Sequence, residues 1–277
     1  EIHGLVEPTG DGLRVLRLDA VFPVLHGENG EDGSVQGLLQ LAGIPCVGCG
    51  TAASALCMDK DLSHRLARSA GIPVPDWVLF TRGDELQRLP ALTRELRYPL
   101  FVKPAAAGSS LGVTRLEDPS GLEAAVTLAL RYGPRVVIEE GVEGREVGCA
   151  IIGNQRLLAG VVDEMAPGSR LLDYQWKYGP DAIEVRLLAR VSEETAVHIK
   201  RTAARLYRLF GCTGLSRVDL FLTPEGELFF NEINTLPGLT AHSRFPRMME
   251  AAGCPFEELL DRLIALAVEK EDERWKP

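Results

Sequence analysis

The chain of 277 residues carries 30 Lys and Arg against 39 Asp and Glu, a formal charge of −9, with 45% hydrophobic and 25% charged residues. That apolar content excludes a disordered chain, and no uncharged apolar run reaches the roughly 18 residues a membrane span needs. The acidic balance speaks against nucleic acid as the main partner and leaves nucleotide binding, which needs only a local positive patch, open.

At roughly 150 residues per domain the length points to about two domains. Residues 15–24 (VLRLDAVFPV) are β-rich and apolar and read as a buried strand, followed by a Gly-rich loop, HGENGEDG. Val35, Leu38 and Leu39 are spaced for a helix over 34–41 that Gly43 stops, and a second helix is expected over 59–70, ended by Gly71, Pro73 and Pro75. A short strand over 78–80, a helix over 84–96 and a strand over 99–103 follow, the last running into the small-residue loop PAAAGSSLG. A helix over 122–130 and a strand over 135–139 come next. Segments 146–152 and 156–162 pair as a hairpin around Gly153 and Asn154. Residues 165–179 lack periodicity and read as a long loop, which in a compact domain is usually functional. A strong amphipathic helix over 193–209, a hairpin of 216–222 with 228–233 around Pro224-Glu225-Gly226, and a helix over 256–268 complete the chain. No internal repeat or low-complexity tract interrupts it. Helices mixed with antiparallel hairpins predict an α+β or mixed α/β fold.

Six cysteines are present, and Cys46 with Cys49 forms a C-x-x-C. No second pair or His pair completes a zinc site. The Gly-rich apolar context favours small buried hydrophobes over a redox pair. Scattered cysteines in a chain of this length fit a reducing, cytoplasmic compartment. No signal peptide is visible, and the first residue is Glu1 rather than Met.

Five constellations carry chemistry. Lys103 at a strand end precedes Gly108-Ser109-Ser110-Leu111-Gly112, where an ammonium, hydroxyls and close backbone approach suit a polyphosphate. The order is not that of a Walker loop, and read alone the segment is equally a plain turn. In RVDLFLTPEGELFFNEIN, alternation puts Arg217 with Asp219 on one face, and Glu232 with Asn234 on one face of the next strand. These are hard oxygen donors suited to Mg²⁺ on phosphates, set in an apolar run where ionised groups need a partner. NTLPGLTAHSR adds a Pro-Gly turn, Ser243 and Arg244 after that strand. Such a turn, with Arg217, suits an anionic substrate. Glu139, Glu140 and Glu146 stand at a strand end fit for an adenine edge and ribose hydroxyls, or are simply a charged turn. DYQWKY places Lys177 beside Tyr178 in a segment able to close over a reacting centre, or anchors a surface loop.

Taken together, VLHGENGEDG, ASALCMDK, FVKPAAAGSSLGV, VVIEE, DYQWKY, GLSRVDLF and NEINTLPGLTAHSRFP resemble the D-alanine–D-alanine ligase family of ATP-grasp enzymes. They follow the family's order and cover nearly the whole sequence. EEGVEGREVGCAIIGN and HSRFPRMMEAAG look closest to the glycopeptide-resistance branch, which includes ligases making D-Ala–D-Ser or D-Ala–D-lactate. Lys177-Tyr178 resembles the dipeptide-forming members. The resemblance implies an ATP-grasp fold with a partial N-terminal α/β domain. The expected units are a remnant substrate domain over 1–56, a small central domain over 57–140, and a C-terminal domain over 141–277 with the catalytic loop and metal site. It implies ATP, Mg²⁺ or Mn²⁺ as two ions, D-alanine and a second D-amino acid (D-alanine before D-serine), a homodimer, and neither nucleic acid nor membrane as partner.

The roles it implies are residue by residue. Asp219, Glu232 and Asn234 would hold the metal, and Lys60 and Lys103 the phosphates, with Ser110 in the phosphate loop. Glu139 and Val142 would flank adenine and Glu146 the ribose, with Lys177 also on the nucleotide. Ser109 and Tyr178 would orient the first substrate and the closing loop, with His26 near the first D-alanine. Arg217 and Gly238 would stabilise the tetrahedral intermediate, and Ser243 would meet the second carboxylate. Two departures stand out. The family's leading strand-helix segment, with a glutamate for the first D-alanine's amino group, is absent from this sequence. The expectation is therefore a fragment that binds ATP and turns over poorly, or a nucleotide-binding module without turnover. Leu171-Leu172 also replace aromatic residues common before the DYxxKY motif.

Overall fold

In the computed structural model, which describes residues 4–108, 111–165 and 185–274 (side chains through residue 269), the strands fall into three antiparallel sheets. Gly4–Thr9 (β1) and Gly12–Arg17 (β2) form a hairpin on which Leu13, Val15 and Leu16 are exposed. This corrects the buried strand expected over 15–24. The ladder ends at Arg17, and beyond it Val21 makes a single parallel bridge to Cys46. Asp19 interrupts the apolar run and Pro23 has no N–H for a ladder, so composition alone overstated both length and burial.

Ser34–Leu41 (α1) forms as its spacing predicts and stops at Gly43, whose φ of 65° is left-handed. Thr51–Met58 (α2) was hidden in the sequence because TAASALCM is small and apolar all round and shows no face. Lys60–Ser69 (α3) has a complete set of helix signals. The Asp59 carboxylate accepts the Leu62 N–H at 3.0 Å, Asp61 lies in the first turn and Arg68 in the last, each sign opposing the helix dipole.

Trp77–Thr81 (β3), Leu100–Pro104 (β4), Thr114–Leu116 (β5) and Arg135–Glu140 (β6) make a sheet in the order β3-β6-β4-β5. Leu89–Leu92 (α4) and Leu122–Ala129 (α5) cover it. Phe80, Leu89, Leu100, Val102, Val126 and Ile138 form its core. The helix expected over 84–96 is only a 3₁₀ turn at Leu86–Arg88 followed by the single turn of α4. Pro90 sits in that first turn, where it is tolerated, and its missing N–H prevents a helix from running through.

Arg145–Gly153 (β7), Leu157–Met165 (β8), Val185–Arg186 (β9), Leu215–Leu222 (β10) and Leu228–Asn234 (β11) make the larger sheet, ordered β11-β10-β7-β8-β9. Both hairpins foreseen in sequence are here. Glu193–Leu209 (α6) packs Ile199, Ala203, Leu206 and Tyr207 on one face, against Val147, Cys149, Ile151, Val218, Leu220 and Phe230. Arg244–Ala251 (α7) and Phe256–Arg274 (α8) pack Phe245, Met248, Leu259 and Leu263 on the other, against Ala150, Ile152 and Leu215. That second face is apolar only at one end. Further along the same alternation, β7 carries Gly148 and Glu146, and β10 carries Arg217 and Asp219. The sheet thus has an apolar end under α7–α8 and a charged end beside it.

Cys149 is fully buried, and burial pushes its thiol up to about 12. Cys49 is buried as well and lies 3.5 Å from the Leu215 carbonyl. The thiols act as packing groups, as the apolar context of PCVGCG suggested. Among the described residues no helix is long and apolar enough to cross a membrane.

Candidate active site

A β-bulge builds the charged end. Leu222, Leu220 and Val218 of β10 face the α6 core, opposite Leu228, Phe230 and Ile233 of β11. Simple alternation from Leu228 and Phe230 would send Glu232 and Asn234 into that core. The register shifts between Asp219 and Leu220, so Leu220 opposes Phe230, Asp219 opposes Glu232, and Asn231 is the extra residue. The result puts Glu232 across from Asp219 and Asn234 across from Arg217, on the side away from α6. The sequence marked these four as one group. It gave no sign of the bulge that turns two of them round.

Arg217 grips the Asp219 carboxylate from its own strand, with Nε 2.8 Å from Oδ1 and Nη2 2.7 Å from Oδ2. Arg244, at the start of α7, reaches back over β7. Its Nε and Nη2 donate to the two Asp163 oxygens at 2.7 and 2.8 Å, and its Nη1 donates to Glu146 at 3.2 Å. Its Nη2 stops 3.6 Å from Asp219 Oδ1. Gly148 makes room for this crossing. A Cβ there would stand 2.5 Å from Arg244 Nη2, 2.5 Å from Asp163 Oδ1 and 3.0 Å from Asp219 Oδ1. Burial, with Asp219 beside it, pushes the Glu146 carboxyl above its ordinary range.

The group Glu146, Asp163, Asp219 and Glu232 sets four carboxylates against the guanidiniums of Arg217 and Arg244. Among the described residues the carboxylates outnumber the guanidiniums, a setting that suits divalent cations. Asn234 Oδ1 is buried with no hydrogen-bond partner among the described residues, as expected of an oxygen meant for a ligand. Among the described residues no three His, Cys, Asp or Glu side chains cluster for a metal. The third oxygen here comes from an amide, and the set of two carboxylates and an amide is hard-donor chemistry that fits Mg²⁺ or Mn²⁺.

The four-stranded sheet and the start of α3 supply the lysines. Lys103 on β4 and Glu139 on β6 are both buried, with Nζ 2.5 Å from Oε1. Lys60 donates from Nζ to the Ala107 carbonyl at 2.8 Å and from its N–H to the Ala105 carbonyl at 2.7 Å. Two lysines therefore border the backbone leading into the Gly108 loop. Arg135 fixes the start of α3 by pairing with Asp59 and, at 2.8 Å, with Asp61. Glu140 points elsewhere, to Arg97 at 2.9 Å, and Val142 is half-buried just after β6.

His64 on α3 is 1% exposed, edge-on to Trp77 and Phe230, with Nδ1 3.9 Å from Glu139 Oε2. Burial depresses it from 6.5 to about 4; Glu139 opposes the shift and Lys103 adds to it. Below pH 6.5 the unfolded chain takes up a proton that the folded one refuses until about pH 4, so stability falls as pH drops through that window. Between about pH 7 and about pH 4.5 this group removes roughly 2–3 kcal/mol. His64→Gln is expected to flatten the acid limb by that amount, read from urea midpoints at the two pH values. An unchanged limb would mean that other groups govern it.

The turn after β11 brings Gly238 and Ser243 together, and a Cβ on Gly238 would stand 2.7 Å from Ser243 Oγ. Ser243 Oγ also accepts the Thr240 N–H at 3.1 Å. His26 is exposed and lines a cavity of about 420 Å³ with Leu25, Asn29 and Val35. Next to it, Glu31 accepts the Gly27 N–H at 2.6 Å. Burial raises its carboxyl, with His26, Glu232 and Arg217 within electrostatic reach. Ser109, Ser110, Lys177 and Tyr178 lie outside the described residues. The site groups that sequence reasoning missed are Asp163, His64, Arg135 and Glu31. Only Glu31, inside HGENGEDG, had a motif to signal it.

Family models described as the C-terminus and the N-terminus of D-ala D-ala ligase match residues 66–265 and 5–49. A putative D-alanine–D-lactate ligase of Streptomyces coelicolor is 48% identical over 96% of this chain and 77% of its own length. A D-alanine–D-alanine ligase of Acetivibrio thermocellus is 42% identical over 98% and 73%. The crystal structure of the VanG D-Ala:D-Ser ligase from Enterococcus faecalis is similar at 46% identity and a TM-score of 0.86, covering 95% of this chain and 79% of that one.

Proposed function

The chain belongs to the D-alanine–D-alanine ligase family, and on that premise we propose that it uses ATP to join D-alanine to a second D-amino acid for peptidoglycan precursors. The second substrate is D-alanine by first expectation and D-serine by the next. The observation that supports the site is the cross-strand set Asp219, Glu232 and Asn234, two carboxylates beside a buried amide oxygen that has no hydrogen-bond partner among the described residues.

The reaction runs in two steps. The D-alanine carboxylate attacks the γ-phosphorus of ATP, giving an acyl phosphate and ADP. The amine of the second substrate then attacks the acyl carbon, and inorganic phosphate leaves. Such transfers need positioning and charge neutralisation more than covalent help. Asp219, Glu232 and Asn234 would hold Mg²⁺, as two ions, which when bound neutralises charge on the transferring phosphoryl group. Lys60 and Lys103 would hold phosphate oxygens, with Ser110 in the same loop. Glu139 and Val142 would border adenine, Glu146 the ribose, and Lys177 the nucleotide. Ser109, Tyr178 and His26 would orient the first D-alanine. Arg217 and the Gly238 backbone would stabilise the tetrahedral oxyanion, and Ser243 would meet the second carboxylate. We place the nucleotide between units at 57–140 and 141–277, behind a substrate unit at 1–56. A cytoplasmic homodimer completes the reading.

Phosphate release with ATP and Mg²⁺ tests it, run with no amino acid, with D-alanine, and with D-alanine plus D-serine or D-lactate. Release that depends on D-alanine, with a dipeptide identified by mass, is the expected result. ATP binding without any D-alanine-dependent release would favour a nucleotide-binding module instead.

A further inference from the structure

Asp163 is 0% exposed, lies on β8, and belongs to none of the sequence constellations. Its two oxygens take the Arg244 guanidinium as a fork. The same guanidinium is ion-paired with Asp219, its Nη2 3.6 Å from Oδ1, without a hydrogen bond to it. Gly148 leaves the path across β7 open, and Arg244, whose Nη1 is held by Glu146, lies with its other face between Asp163 and Asp219, two buried carboxylates. Two-pronged contact favours Asp163.

We propose that Asp163 is a positioning residue that keeps Arg244 from hydrogen-bonding Asp219 Oδ1 and so leaves that oxygen better able to take a divalent cation. A guanidinium hydrogen-bonded to Oδ1 would occupy a lone pair that a cation needs, in addition to the two oxygens already gripped by Arg217. An isolated cation and a fixed arginine compete for the same oxygens. The inference rests on the reading of Asp219, Glu232 and Asn234 as the cation site. It adds that the site's affinity is set from β8, two strands away from β10 in the sheet order.

The test is Mn²⁺ binding followed by electron paramagnetic resonance, with ADP present, on the full chain. Asp163→Asn turns one acceptor into a donor facing the guanidinium and releases it toward Asp219. Mn²⁺ affinity is expected to fall at least about tenfold. Asp163→Asn combined with Arg244→Met removes the competitor as well, and affinity is expected to return to within about threefold of the parent. Rescue by removing Arg244 is not an effect that a merely structural Asp163 would produce. Arg244→Lys, which keeps the charge and loses the fork, is a second variant should Asp163→Asn fail to fold, and is expected to weaken Mn²⁺ by about threefold or more. If the parent binds Mn²⁺ and Asp163→Asn binds it equally well, or the double variant shows no recovery, the proposal is overturned while the cation site stands. If the parent binds no Mn²⁺, the site reading fails and takes the proposal with it.

Discussion

Asp219→Asn is expected to lower D-alanine-dependent phosphate release by about 10³-fold or more, the scale of losing a central electrostatic group at a transferring phosphoryl. Asp219 is 1% exposed, is gripped by Arg217 and stands opposite Glu232 in the ladder. The amide preserves shape and removes the charge that both a cation and Arg217 require. Charge-assisted hydrogen bonds contribute about 1.5–3 kcal/mol each when lost, so a lower urea midpoint is expected alongside the lost activity. Variants at Asn234 separate the two effects, because its Oδ1 has no hydrogen-bond partner among the described residues. Asn234→Ala is expected to lose activity with little change in stability. Activity of Asp219→Asn within tenfold of the parent would contradict the assignment.

Lys103→Met is the second large effect. The ammonium lies 2.5 Å from a Glu139 carboxylate that is only 3% exposed. Breaking a buried pair from one side costs about 3–5 kcal/mol because the other charge is stranded. His64, 3.9 Å from Glu139, is the group able to answer. Lys103 is one of the charges holding it down and Glu139 pulls it up, so its pKa is expected to rise from about 4 toward the ordinary value in the variant. The stability deficit is then largest at neutral pH and shrinks as pH falls and His64 takes up a proton. The KM for ATP is expected to rise about tenfold or more, since Lys103 would also meet a phosphate. Histidine resonances followed by NMR across the pH range check the first point, and a deficit independent of pH would contradict it.

Much of this site was legible because its chemistry sits where the pattern alone forbids it. Glu232 and Asn234 interrupt an apolar strand, and Lys103 ends one. Ionised groups in such places need partners; Lys103 has one in Glu139, and Glu232 comes to lie across from the Arg217-bound Asp219. The bulge at Asn231 was not legible, because LFFNEIN reads as an unbroken strand and the shift is decided by pairing with β10. Arg244 reaches Asp163 across 81 residues of sequence, and no local spacing encodes that. The same divide runs through the fold. The two hairpins of the large sheet followed from alternation and Gly-marked turns. The exposed β1–β2 hairpin did not, because apolar letters signal a strand without saying what covers it. The helix expected over 84–96 is broken at Pro90, whose missing N–H separates the 3₁₀ turn from the single turn that follows.

We read the charged end of the five-stranded sheet as the place where a divalent cation binds with nucleotide. Mn²⁺ binding in the presence of ADP tests it most directly, on the parent chain and on Asp219→Asn, Glu232→Gln and Asn234→Ala, each checked for folding. Binding by the parent, weakened at least about tenfold in each variant, is the predicted result. Equal binding by the parent and all three variants would place the cation elsewhere and contradict the account.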